Sequence, residues 1–177
     1  MLRLLPFESH RPVRLDEALD LLDEHGVDAL PIAGGPDLVP TMKHGLFTPG
    51  RLVSLGRVRE LHGIDRADDG SIRIGAAESL DSVSRDAAVL EDWPMLADAC
   101  SKISGPQLRR AGTIGGNVCL DTRCTYYNQT RFWRESLGFC LKKDGDVCHV
   151  VPGGTRCVAA HSADGATALS AIGARLE

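Results

Sequence analysis

Four cysteines, Cys124, Cys140, Cys148 and Cys157, fall within one 34-residue stretch of a 177-residue chain, separated by 15, 7 and 8 residues. Grouped thiols in a chain with no export signal point to metal or redox chemistry before disulfides. Spacing alone leaves free buried thiols, a zinc site, disulfides and an iron–sulfur cluster all open. Structural zinc sites more often pair their ligands as C-x₂₋₄-C, which this stretch never does, and it has no C-x₂-C-x₂-C run. A [4Fe–4S] cube can take four thiolates from widely spaced positions if the chain between them folds around it. Five of the eight aromatic residues, Tyr126, Tyr127, Phe132, Trp133 and Phe139, share the stretch, and they read either as a shield for such a site or as ordinary packing. Cys100 and Cys119 are expected to be packed rather than ligating. His149 is expected at the surface or in a hydrogen bond, not as a fifth ligand.

The second kind of chemistry lies in two glycine pairs. Gly34-Gly35 stands between an apolar run and a helical pattern, where the backbone could approach a phosphate and a helix start would add oriented N–H groups. Gly115-Gly116 lies in the stretch 112–117 and has the same potential. Neither is G-x-G-x-x-G or a P-loop, so on spacing alone each reads first as a simple turn, the first with Asp37 as helix cap. No Ser-His-Asp or Cys-His constellation is evident, and no side-chain nucleophile or general base is assigned.

These residues need elements to hold them. Leu15, Ala18, Leu19 and Leu22 repeat at helical spacing, with Gly26 as the stop. Residues 29–33 read as a buried strand, 37–44 as a helix with Pro40 in its first turn, and 51–55 as a second strand. Strand, glycine turn, helix, strand predicts a small α/β lobe with parallel pairing over residues 1–56. A second lobe is expected over 57–177, with a strand at 71–75, helices at 79–90 and 94–103, a short basic turn at 106–110, and a helix at 166–172 stopped by Gly173. Residues 174–177 read as the start of a strand. The fold class is α+β: a small α/β lobe, a larger α+β lobe, and a cysteine-rich insertion at about 120–160.

Composition fits a soluble globular chain, at 43% hydrophobic and 25% charged residues. A net charge of −4 without a basic stripe argues against nucleic acid as the main partner. No run reaches the length of a membrane span. The opening six residues are too short for a signal peptide, so a cytoplasmic location is expected.

In order along the chain, the residues 31–43 (PIAGGPDLVPTMK) and 111–117 (AGTIGGN) resemble the two FAD-binding signatures of the xanthine dehydrogenase and carbon monoxide dehydrogenase flavoprotein family. Within it, Cys119 to Gln129 followed by three further cysteines is similar to the 4-hydroxybenzoyl-CoA reductase beta subunits. The resemblance implies that Pro31, Ile32, Ala33, Gly34, Gly35, Pro36, Asp37 and Leu38 wrap the FAD diphosphate. Thr113, Ile114, Gly115, Gly116 and Asn117 would form the second flavin loop, Ile103 would lie near the flavin ring, and Asp164 would be a polar contact. Pro36 departs from the family's usual threonine and removes a hydroxyl and an N–H donor.

The same resemblance makes Cys124, Cys140, Cys148 and Cys157 the ligands of a [4Fe–4S] cluster. It implies an oxidoreductase subunit that relays electrons and works with a molybdenum-cofactor subunit and a [2Fe–2S] subunit, with a low-potential donor such as ferredoxin supplying electrons. Substrate chemistry would occur on the molybdenum subunit. Full-length relatives continue with a C-terminal domain that would be missing here. Two other readings compete: a non-catalytic docking module with a vestigial flavin site, and a zinc-stabilised binding domain.

Overall fold

The structure, a computed structural model, describes residues 3–177; Met1 and Leu2 of the opening apolar run lie outside the described residues. The chain is mixed α/β and divides into two compact units. One comprises Phe7–Pro36, Pro49–Cys119 and Ala163–Glu177; the other comprises Met1–Pro6, Asp37–Thr48 and Leu120–Ser162. The expected lobe boundary at 56/57 lies inside the first of these, and the cysteine-rich stretch lies wholly in the second.

In the unit that holds most of the chain, β1 (Glu8–His10), β2 (Ala29–Ile32) and β3 (Arg51–Ser54) form a parallel sheet in the order β1-β3-β2. Arg51 stands opposite both Glu8 and Ala29, so β3 is central and β2 lies at an edge. That placement explains two differences from the sequence reading. β2 is not buried throughout, because Pro31 is exposed, as an edge strand permits. β1 is a polar three-residue edge strand with no apolar alternation to announce it. Helix α1 (Leu15–His25) buries Ala18 against Ala29, Val53 and Val58, and ends at Gly26, whose φ of 50° suits glycine.

The same unit continues through a hairpin, β4 (Ile64–Arg66) with β5 (Ile72–Ile74), paired antiparallel. A cluster of short helices follows. After α2 (Leu38–Lys43), which belongs to the other unit, come α3 (Leu80–Arg85), α4 (Ala87–Asp92), α5 (Pro94–Lys102), α6 (Pro106–Ala111) and α7 (Ile114–Val118). The helix expected over 79–90 is thus two helices. Asp86 leaves helical geometry at ψ 133°, and its carboxylate accepts the N–H groups of Ala88 and Val89 at 2.9 and 3.0 Å, capping α4. The expected basic turn at 106–110 is α6, with Pro106 at the first position, where its missing N–H costs nothing.

Leu80, Val83, Val89, Leu96, Ala97, Cys100 and Ile114 form the core of this helical cluster, which is closed by Ala168. Ala168 comes from α9 (Asp164–Ala171), stopped by Gly173 at φ 69°. Residues 174–177 form no strand.

The other unit contains α2 and α8 (Arg131–Ser136). Its core is small: Leu46, Tyr127 and Cys140 are buried, with Phe47 and Cys124 packed against them. Among the described residues no helix is long and apolar enough to cross a membrane.

Candidate functional site

The first glycine turn leaves β2 and doubles back at Gly35, whose φ is 80°. Gly34 lies so close to the Ala111 carbonyl that any side chain there would overlap it. A Cβ on Gly112 would stand 3.4 Å from Cγ of Pro36. The first turn is therefore seated directly on the peptide that leads into the second glycine pair. Among the described residues the N–H groups of Gly34 and Gly35 meet no protein partner, which leaves them able to donate to a ligand.

The second pair behaves differently from the loop expected for it. Thr113–Gly116 is the start of α7, and Thr113 caps it by accepting the Gly116 N–H at 3.0 Å. The Ile114 and Gly115 N–H groups donate to the carbonyls of Glu78 and Ala76, both at 2.9 Å. Gly115 must be glycine because a Cβ would lie 2.7 Å from the Ala76 oxygen. The oriented donors of this turn are spent on the protein, leaving side chains and surface for any ligand contact. Asn117 uses its Oδ1 to accept the Gly165 N–H at 3.0 Å.

Pro31 to Pro36, Ile103, Thr113 to Asn117 and Asp164 all belong to one compact unit, whereas Asp37 and Leu38 belong to the other. Ile103 is half-buried against the helical core, and Asp164 is exposed at the first position of α9. Asp37 makes no side-chain cap to α2, contrary to its reading as a helix cap. Its carboxylate pairs instead with Arg123, whose backbone exchanges two hydrogen bonds with Ala160 at 2.7 and 3.1 Å.

Cys124, Cys140, Cys148 and Cys157 all line one small cavity that is partly open to solvent. Tyr126, Tyr127, Lys142 and His149 share its wall. Two of the sulfurs are already accepting backbone hydrogen bonds: Cys148 from Val151 N–H at 3.4 Å, and Cys157 from Ala159 N–H at 3.3 Å. Among the described residues no three His, Cys, Asp or Glu side chains form a group that could hold a single metal ion. The four sulfurs share a cavity without meeting at one point. His149 uses Nε2 in a 2.6 Å hydrogen bond with the Phe139 carbonyl. Cys100 is fully buried, and burial pushes its thiol up to about 11. Cys119 is exposed, not packed as expected.

Sequence reasoning missed the polar groups behind the cavity. Tyr127 is buried and donates its hydroxyl to Asp121 at 2.6 Å; burial and that carboxylate together raise its pKa. Lys142 donates to the other Asp121 oxygen at 2.6 Å and also to Thr122, and its ammonium stands 4.7 Å from the Tyr127 ring centre. Burial pushes the Asp121 carboxyl up, but its hydrogen bonds from Lys142 and Tyr127 outweigh that and hold it below the usual carboxylate range. Arg134 is 1% exposed, paired with Asp144 at 3.0 Å and set 5.3 Å from the Phe139 ring centre.

A parallel sheet whose edge strand ends in a glycine turn with free N–H donors, seated against a second glycine-bearing helix start, defines a nucleotide-binding α/β class. The family described as FAD binding domain in molybdopterin dehydrogenase matches residues 5–177, and the chain belongs to that family. It is 38% identical over 112 residues to the carbon monoxide dehydrogenase medium chain of Hydrogenophaga pseudoflava, covering 63% of this chain and 39% of that one. It is 36% identical over 110 residues to the xanthine dehydrogenase FAD-binding subunit of Escherichia coli O157:H7, covering 62% and 37%.

Among solved structures, carbon monoxide dehydrogenase from Hydrogenophaga pseudoflava superposes with a TM-score of 0.64 at 36% identity, over 66% of this chain and 40% of that chain. Quinoline 2-oxidoreductase from Pseudomonas putida 86 gives 0.62 at 29% identity, over the same shares. The chain thus spans about two-fifths of the length of the relatives it matches, and about a third of it lies outside each alignment.

Proposed function

We infer that this chain is the FAD- and [4Fe–4S]-containing electron-transfer subunit of a molybdenum-dependent hydroxylase or reductase complex, of the 4-hydroxybenzoyl-CoA reductase kind. The observation that carries the reading is the placement of Cys124, Cys140, Cys148 and Cys157 on one cavity. A zinc ion would draw its sulfurs to about 2.3 Å from one point, whereas a cube takes each thiolate at a separate corner. Four cysteines lining one pocket supply the number of thiolates that such a cube takes. Backbone N–H groups of Val151 and Ala159 donate to the sulfurs of Cys148 and Cys157, the kind of hydrogen bond that tunes cluster sulfurs.

FAD exchanges electrons singly or in pairs and a [4Fe–4S] cluster singly, so the two together suit a relay toward molybdenum-cofactor and [2Fe–2S] partner subunits, fed by a one-electron donor such as ferredoxin. The chain's own part is to bind and orient. Gly34 and Gly35 offer N–H donors to the FAD diphosphate, while Pro36 offers none and packs toward Gly112. Thr113 fixes the start of α7 and so the surface that Ile114 to Asn117 present. Arg123, next to Cys124 in the chain, holds Asp37 of the first turn by an ion pair.

Anaerobic reconstitution tests the reading. Flavin absorbance with about four irons and four sulfides per chain is expected. Serine in place of Cys124, Cys140, Cys148 or Cys157 lowers the iron, and serine at Cys119 does not. One zinc per chain without visible absorbance would make it a zinc-stabilised module, and neither cofactor would make it a docking module.

A further inference from the structure

Helix α6 ends at Ala111, and the Ala111 carbonyl is the group on which Gly34 of the first glycine turn is seated. Its six residues span about 9 Å, so the segment that enters α6 stands at a fixed step from that turn. That segment is Ile103-Ser104-Gly105, directly after the last residue of α5. Two of its carbonyls meet one side chain: Nη1 of Arg109 donates to the Ile103 oxygen at 3.1 Å and to the Ser104 oxygen at 2.6 Å. Ser104 has a φ of 51°, in the left-handed region that serine rarely adopts. It is exposed, so little packing is available to impose that conformation, and the Arg109 clamp is what holds it. A guanidinium stays charged at any working pH and carries its donors in a rigid fork, which suits it to gather carbonyls at a helix end.

We propose that Arg109 is a positioning residue for the flavin ring: by clamping the Ile103–Ser104 turn it fixes one end of the FAD site, while the first glycine turn fixes the other. The proposal rests on the reading of Gly34 and Gly35 as donors to the diphosphate and of Ile103 as the residue near the ring. In FAD the ribityl chain separates those two groups; in the protein α6 separates the two turns. Without the clamp, Ile103 and Ser104 must be ordered at the moment the flavin binds. Freezing the backbone of two residues weakens binding by at least about tenfold. ADP carries the adenosine and the diphosphate of FAD but no ring, so it makes no demand on the Ile103 end.

The test is calorimetric titration of the flavin-free full chain with FAD and, separately, with ADP, together with visible circular dichroism of the FAD-saturated chain. Arg109→Met is expected to weaken FAD by at least about tenfold, to leave ADP within about twofold, and to alter the dichroism of the bound flavin. Adding Ser104→Asn to that variant is expected to recover part of the loss, because asparagine tolerates the left-handed turn better than serine does. A residue that merely held the fold together would weaken FAD and ADP alike, and that outcome overturns the proposal, as does unchanged FAD affinity. Should Arg109→Met fail to fold, Arg109→Lys, which keeps the charge but loses the fork, decides by the same comparison. Where ADP binds too weakly to titrate, an unchanged dichroism in FAD-saturated Arg109→Met overturns it. An unsubstituted chain that binds neither FAD nor ADP removes the FAD reading itself, an outcome separate from a chain that binds both and ignores Arg109.

Discussion

Adding one methyl group at Gly115 measures how tightly the second glycine pair is seated. The Cβ of Gly115→Ala would lie 2.7 Å from the Ala76 oxygen and 2.8 Å from the Ala76 Cβ. Ordinary contact needs about 3.4 Å, so Ala76 must recede by roughly 0.7 Å, and both atoms belong to a residue with no flexible end to swing away. That movement stretches the 2.9 Å bond from the Gly115 N–H to the Ala76 carbonyl past the limit of a useful hydrogen bond. Overpacking costs about 1–3 kcal/mol and the lost bond about 0.5–1.5 kcal/mol, against a helix-propensity gain of at most about 1 kcal/mol. The net loss is about 0.5–3.5 kcal/mol, with a centre near 2 kcal/mol.

In urea unfolding followed by circular dichroism, that loss lowers the midpoint by about 1 M for a slope near 2 kcal/mol/M. Flavin fluorescence titration is expected to show weakened FAD binding in the same variant. Gly56→Ala, which meets nothing within 4 Å, is the control and stays within about 0.5 kcal/mol of the unsubstituted chain. Equal midpoints for the two variants would refute the close approach of α7 to Ala76.

Asp86→Ala removes the acceptor for two N–H groups at the start of α4 and is expected to cost about 1 kcal/mol in the same unfolding assay, while Asp86→Asn, which still caps, recovers most of it. Cys100 makes stability depend on alkaline pH. Its folded pKa, raised to about 11, lies above the unfolded value of 9.0, so its contribution is full below pH 9 and is lost as pH rises through 11. Relative to Cys100→Ala, the unsubstituted chain should therefore lose about 2 kcal/mol of its advantage between pH 8 and pH 10.5. A constant difference across that range would show that the thiol is not held protonated.

Elements whose signal is local were legible in the sequence. Helix α1 shows its apolar stripe and its Gly26 stop, and the order strand, glycine turn, helix, strand implied the parallel pairing that β2 and β3 make. The illegible elements depend on partners elsewhere in the chain. β1 has no apolar pattern because an edge strand needs only backbone pairing with β3. The break between α3 and α4 turns on one carboxylate choosing backbone donors over solvent.

At the site, residue types were readable but their employment was not. Nothing in Thr113 to Asn117 reveals that Glu78 and Ala76 take its donors. Nothing in the spacing of Asp121, Tyr127 and Lys142 shows that they meet, since two of the three lie some 20 residues apart. Cys119 looked like core and is exposed, because α7 ends just before it and the chain turns outward.

The hydrogen bond between Asn117 and the Gly165 N–H pins together the points where the chain leaves the helical core after Cys119 and re-enters it at Ala163. Everything from Leu120 to Ser162 is thus a detour that departs and returns at one place. The entropy of closing such a detour grows only as the logarithm of its length, about 0.6 kcal/mol for each doubling. An ancestral chain could therefore acquire, lengthen or lose it at little cost to the helices it interrupts. A cysteine-bearing excursion is the kind of addition that this junction tolerates.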